Sequence, residues 1–202
     1  MQFNLIAKYY YIISRIAFGN DLEVAKISLL RQIPTNTKVL MIGGGTGRSL
    51  KHLLNINSSA KIDFVESSIE MVELAQLNIK EKNRVSFICE PIEMFDGEGY
   101  DVIITEFFLD LFSTVEIENH IAMINQKLLK GGFWIDTDFR PSDQLFHKLL
   151  IKIMYLFFSA VSNVKAKALV ELEPFLKING FITIREVKFK SGFITSRVFA
   201  RS

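Results

Sequence analysis

Nine residues in the first quarter of the chain, Val39-Leu40-Met41-Ile42-Gly43-Gly44-Gly45-Thr46-Gly47, have the composition of a ligand-holding loop. Four apolar side chains run directly into four glycines and a threonine. Such a segment reads as a buried parallel strand ending in a tight turn, with a helix starting near Arg48. A residue without Cβ combines positive φ with close approach of the backbone to a ligand. The free N–H groups at the head of the following helix favour a polar or negatively charged group. The chemistry expected here is the holding of a nucleotide-like cofactor; the alternative is a plain structural turn. A carboxylate, Glu66, follows about twenty residues past the loop, at the end of a second apolar run, Lys61–Glu66. An ionised carboxylate only accepts, through two oxygens, so it can receive both hydroxyls of a ribose diol. The alternative for Glu66 is a solvated cap on the next helix, beside Ser67 and Ser68.

Spacing narrows the ligand. A dinucleotide fingerprint needs G-x-G-x-x-G. Here Gly43, Gly45 and Gly47 form G-x-G-x-G, and the place of a third fingerprint glycine is taken by Arg48. A long charged side chain there crowds the strand–helix packing that the glycine normally permits. Further along, four carboxylates follow apolar runs: Glu106 and Asp110 after Tyr100–Thr105, Asp136 and Asp138 after Gly132–Ile135. Open α/β sheets place their sites at such strand ends, so these are the acid–base candidates; the alternative is that they cap helices and face water.

The elements that must carry these residues alternate. Strands are expected near 38–42, 61–66, 84–89, 100–105 and 132–137, with helices near 47–55, 69–81 and 115–129. Two more helices are expected over 4–18 and 22–32, separated by Gly19-Asn20-Asp21. Alternation of this kind builds a doubly wound α/β sheet, mostly parallel, with helices on both faces. After the fifth strand come helical stretches, Ser142–Val161 and Lys165–Lys177. Asn179-Gly180 then ends the helix, and Phe181–Lys190 and Phe193–Ala200 form an antiparallel hairpin around Ser191-Gly192. The expected organisation is one domain, 1–202: N-terminal helices over 1–33, a cofactor-binding core over 36–140, a helical lid or substrate region over 141–179 and a closing hairpin over 181–202.

The loop Val39–Gly47 resembles motif I of the class I S-adenosylmethionine-dependent methyltransferases. Phe64–Ala75 resembles their second strand, acidic residue and following helix, Tyr100–Thr105 their fourth strand, and Leu128–Ile135 their helix end, glycine turn and fifth strand. The resemblance covers residues 36–140 and, more loosely, the C-terminal part. It implies a Rossmann-like seven-stranded sheet with S-adenosyl-L-methionine held by Gly43, Gly44, Gly45, Thr46, Gly47, Glu66, Ser67, Met71, Glu90, Ile92 and Thr105. Of these, Met71 and Ile92 would wall the adenine, or serve as ordinary core. Two positions depart from the family: Met41 stands where an acidic residue is usual, and Glu90-Pro91 where an aspartate often follows the third strand. The implied reaction is in-line displacement at a methyl group, in which the protein supplies position and electrostatics. A base is needed only when the acceptor keeps its proton, and Glu106, Asp110, Asp136 and Asp138 are the candidates. Two rivals stand beside a small-molecule methyltransferase. One is an aminopropyl transferase on the same scaffold, which Met41 would suit because its cofactor lacks a carboxylate. The other is a non-catalytic cofactor-binding or interaction module.

Composition excludes other classes. The 202 residues carry a net charge of +2 with no long basic block, so nothing asks for a nucleic-acid partner. The single cysteine, Cys89, cannot form an internal disulfide and lies in an apolar run, as a buried thiol would, which suits a reducing, cytoplasmic setting. His52, His120 and His147 have no metal-ligand spacing. The apolar helix Leu145–Val161 is interrupted by Lys148 and Lys152, too soon for a membrane span. It reads as a core helix, as the wall of a pocket for a small apolar or aromatic substrate, or as a transient contact with a membrane surface or partner.

Overall fold

A computed structural model describes residues 19–161, 166 and 168–201. Seven strands form one sheet: β1 (Lys38–Ile42), β2 (Lys61–Val65), β3 (Val85–Ile88), β4 (Tyr100–Glu106), β5 (Leu128–Phe139), β6 (Phe181–Phe189) and β7 (Ile194–Arg201). They lie in the order β3-β2-β1-β4-β5-β7-β6. The first five are parallel, and β7 runs antiparallel to both β5 and β6. The chain leaves β1 toward β2 on one side and returns to β4 on the other. That reversal opens a crevice at the C-terminal ends of β1 and β4.

Among the described residues six α-helices cover the sheet: α1 (Asp21–Ile27), α2 (Arg48–Ile56), α3 (Ile69–Asn78), α4 (Thr114–Lys127), α5 (Leu145–Val161) and α6 (Glu173–Ile178). The unbroken apolar run of β1 follows from burial on both faces. Val39 and Met41 pack with Phe64 and with Leu50 and Leu53 of α2. Leu40 and Ile42 pack on the other face with Trp134 and with Ile117, Ile121 and Ile124 of α4. In α2, Leu50, Leu53 and Leu54 turn inward at helical spacing while Lys51, His52 and Asn55 face water. The Ser68 hydroxyl accepts the Met71 N–H at 3.3 Å and starts α3. Glu116 reaches back to the N–H of Ser113, 3.0 Å, and starts α4. A third cluster, with Phe139, Leu150, Ile151, Met154 and Phe193, closes the C-terminal end of the sheet beneath α5.

Several expectations are corrected. The helix expected over 22–32 stops at Ile27; Leu29, Leu30 and Ile33 then drop into the core around a single 3-10 turn at Leu30–Gln32. The helix expected over 4–18 lies outside the described residues. Of the helical run expected over 165–177, the described residues hold only α6, which carries Pro174 in its first turn, while 168–172 is irregular. Proline has no N–H and clashes with the preceding turn, so a helix starts there and does not pass through. Helix α4 ends at Lys127, whose ammonium binds the Phe95 and Gly97 carbonyls at 2.5 and 3.1 Å, and β5 begins at once with Leu128 opposite Tyr100. Cys89 is exposed, one residue beyond β3, because β3 is the sheet's edge and its side chains are only half-covered. Among the described residues no helix is long and apolar enough to cross a membrane.

Candidate active site

The glycine loop leaves β1 with Gly43, Gly45 and Gly47 at φ of 64°, 57° and 73°. All three are in the left-handed region that favours glycine. The first and last are also packed: a Cβ on Gly43 would meet Phe108 at 3.0 Å, and one on Gly47 would meet Ala75 of α3 at 3.0 Å. Gly44 is buried, and a Cβ there would meet the Phe64 ring at 2.2 Å. Gly45 is different, because a Cβ there would meet nothing within 4 Å. Its packing does not require glycine; its backbone conformation does, and its open side faces space. The half-buried Thr46 accepts the Asn78 amide at its carbonyl, 3.0 Å. Met41 is fully buried in the core, and its sulfur lies against the loop, 3.0 Å from where a Cβ on Gly44 would sit. The position where the resemblance puts an acid is therefore filled with packing.

Glu66 joins the loop to its neighbour. One carboxylate oxygen accepts the Gly45 N–H at 3.0 Å, and the other accepts the Ser68 N–H at 3.0 Å. The carboxylate thus reaches the head of α3, as the helix-cap alternative expects, and the glycine loop as well. Ser67 beside it is exposed, Met71 and Glu90 are half-buried, and Ile92 is buried in the cluster that holds Ile42 and Val65. These residues ring the C-terminal ends of β1, β2 and β3.

Thr105 and the four acids divide between the two faces of the sheet. Glu106, at the end of β4, faces α1 and α2 and is 4% exposed. One of its oxygens accepts the Ser49 hydroxyl at 2.6 Å and lies 3.8 Å from the Lys26 ammonium; the other has no hydrogen-bond partner among the described residues. Burial pushes its pKa up, against the pull of Lys26. Phe107 follows with a φ of 51°, which turns the chain sharply, and its N–H donates to the Thr137 carbonyl at 2.7 Å. A bulky residue in that region stores strain, a frequent mark of a functional turn.

On the opposite face, Asp136, Asp138 and Asp110 gather around Arg140. Arg140 pairs with Asp136 and donates its Nε–H to the Thr195 hydroxyl at 2.8 Å. Thr105, fully buried, donates to Asp136 at 3.0 Å and receives the Trp134 indole N–H at 2.8 Å. Asp138 accepts the N–H groups of Asp110 and Phe139, at 3.1 and 2.8 Å. An Asp110 carboxylate oxygen is buried with no partner among the described residues, and the Tyr155 hydroxyl donates to the Asp110 carbonyl at 3.1 Å. Burial, reinforced by Asp136, pushes the Asp110 pKa up to about 7; burial and the Asp110 charge raise Asp138 well above the carboxylate range. Three acids against one guanidinium leave excess negative charge, which a shared proton relieves. The acids expected as one group facing a cleft are therefore two groups. Glu106 lies by the glycine loop, and the aspartates lie in a buried polar knot.

Ser49, Lys26, Arg140 and Tyr155 complete these groups and were not singled out from sequence. A readable signal existed for Arg140, placed four residues after Asp136. None existed for Lys26, which reaches Glu106 from eighty positions away.

Residues 39–132 match the family model of a methyltransferase domain. The chain is similar to polyamine aminopropyltransferase 2 of Hyperthermus butylicus, 32% identical over 103 residues, covering 46% of this chain and 32% of that protein. Among solved structures it resembles the mitomycin 7-O-methyltransferase MmcR, with a TM-score of 0.71 at 15% identity over 97% of this chain and 58% of that one. It also resembles magnesium protoporphyrin IX methyltransferase from Synechocystis PCC 6803 with bound SAH, at 0.67 and 22%, over 93% of this chain and 85% of that one. The chain spans about a third to a half of the length of the curated relatives it matches.

Proposed function

We propose that this chain, working as one domain, transfers a methyl group from S-adenosylmethionine to a small apolar or aromatic acceptor. The observation that carries the reading is the junction of Gly45 and Glu66. A backbone N–H with open space beside it meets a half-buried carboxylate able to accept two more donors. These residues fit an adenosyl group: the loop Gly43–Gly47 for close backbone approach, Glu66 for the ribose diol, Ser67, Met71, Glu90 and Ile92 around the base. When bound, the cofactor supplies an activated methyl group. The chain's part is to orient the acceptor, exclude water and hold a proton. Glu106 suits the last task, since its burial favours the protonated carboxyl and one oxygen is free to accept from an acceptor's hydroxyl or amine. The apolar surroundings of Phe107, Phe139 and α5 support an acceptor of low polarity.

A second reading is favoured by one residue. Met41 offers no charge to the amino-acid end of a cofactor, which suits aminopropyl transfer from the decarboxylated form. One experiment separates the readings: calorimetric titration with S-adenosylmethionine and with its decarboxylated form, followed by product analysis against apolar, aromatic and polyamine acceptors. Tighter binding of S-adenosylmethionine with methylated product supports the first reading. Tighter binding of the decarboxylated form with an aminopropylated product replaces it with the second, and binding of neither overturns both.

A further inference from the structure

A cavity of about 430 Å³ opens beside α5, away from the glycine loop. Its size suits a small organic ligand. Its apolar walls are Leu145, Leu149 and Ile151 of α5, with Leu169 and Phe193. Among the described residues its polar groups are Ser142, His147, Lys148 and Lys152, and no carboxylate lines it. His147 is held in place: its ring stacks on Phe193 at 4.0 Å and 5°, and its Nδ1 meets the Ser142 hydroxyl at 2.8 Å. Burial lowers its pKa, so among the described residues the positive charge at the cavity belongs to Lys148 and Lys152, one helical turn apart. Lys148 has Asp143 at 3.4 Å, but both groups are more than half exposed, and such a pair exchanges readily for another anion.

The cavity is also linked to the first site. Lys26 sits 5.5 Å from the Phe107 ring centroid, Phe107 is 4.9 Å from Phe139, and Phe139 is 5.1 Å from Phe193. A row of aromatic rings thus runs from the end of β4, beside Glu106, to the cavity wall.

We propose that this cavity binds an amphiphilic anion: an apolar or aromatic body against Leu149, Ile151, Leu169 and Phe193, and one carboxylate-type group at Lys148 and Lys152. That this anion is the methyl acceptor rests on the function proposed above; that it binds does not.

The test is titration of the purified chain with 2-naphthoate and with uncharged 2-naphthamide, which share one body. Naphthoate binds about tenfold tighter, the scale of one or two surface ion pairs. In the Lys148→Glu/Lys152→Glu variant that preference disappears while naphthamide binding persists. Both substitutions are at exposed positions, and circular dichroism verifies the fold. Leu169→Trp, which narrows the cavity, weakens both compounds alike. Gly45→Val leaves naphthoate binding intact, so failure of the cofactor reading and failure of this one are distinguishable. Equal affinity for the two compounds, or a preference that survives the double variant, overturns the proposal. Lysine-dependent binding to phosphatidylglycerol vesicles without binding of free naphthoate also overturns it, and reassigns the lysines to a lipid surface.

Discussion

Glu66 and Gly45 make one device from two residues that differ in what they contribute. Glu66 holds charge where two N–H groups and, in the proposed function, two hydroxyls converge. Glu66→Ala removes charge-assisted hydrogen bonds worth roughly 1.5–3 kcal/mol, so S-adenosylmethionine affinity falls at least tenfold by calorimetry. An unchanged affinity refutes the ribose assignment. Gly45 contributes backbone shape. The Cβ of a valine there meets nothing within 4 Å, but the residue must adopt a φ of 57°. That strain is of order 1–3 kcal/mol, small enough for the chain to remain folded. Gly45→Val therefore yields a native circular dichroism spectrum with no measurable cofactor binding, and retained binding means that the loop does not approach the ligand. Gly44 and Gly47 cannot answer the same question, because substitution there disturbs packing as well.

The strands and helices place these residues by burial on two faces. β5 shows this most clearly. Trp134 is fully buried, meets Phe181 edge-on and Phe199 at a tilt, and gives its N–H to Thr105 of β4. It fastens the parallel half of the sheet to the antiparallel hairpin. Trp134→Ala leaves a large void and a Thr105 hydroxyl that keeps only its bond to Asp136, and costs about 3–5 kcal/mol in urea unfolding followed by circular dichroism. A loss below about 1 kcal/mol would mean that the β4–β5–β7 junction is held elsewhere. Helix α1 acts differently. It contributes little core beyond Ala25, yet it brings Lys26 to Glu106, and the Ser196 hydroxyl binds its Ala25 carbonyl at 2.7 Å. Its role is to cover the end of β4.

For the molecule as a whole, the Asp110–Asp136–Asp138–Arg140 knot couples stability to pH. An Asp110 held near 7 in the folded chain and near 4 when unfolded keeps its proton longer when folded. The folded state then binds more protons between about pH 4 and 7, so this contribution to stability falls as pH rises through that window. Asp110→Asn, neutral at every pH, removes the share of the dependence that Asp110 carries, leaving that of Asp138. The variant's melting temperature should exceed that of the parent at pH 8, with the gap closing toward pH 5. A gap independent of pH would show that Asp110 does not carry the proton.

The sequence by itself determined the sheet and the loop. Period and composition are local properties, and the four-residue apolar run into G-x-G-x-G has few other uses. β1, β2, β4 and the hairpin fall within a few residues of their expected places for that reason. Glu66 was legible because it sits a fixed step from the loop in any doubly wound sheet. Boundaries failed where a distant contact decided them: Lys127 ends α4 through carbonyls thirty residues upstream, and Cys89 is exposed because no strand covers β3. Which acids meet belonged wholly to the tertiary structure. Glu106 and Asp136 follow similar strands in similar settings, yet alternation along paired strands sends them to opposite faces, one to Ser49 and Lys26, the other to Arg140. Spacing along a chain fixes which face a side chain takes relative to its strand, but only the packing of helices on each face supplies the partner that sets its charge.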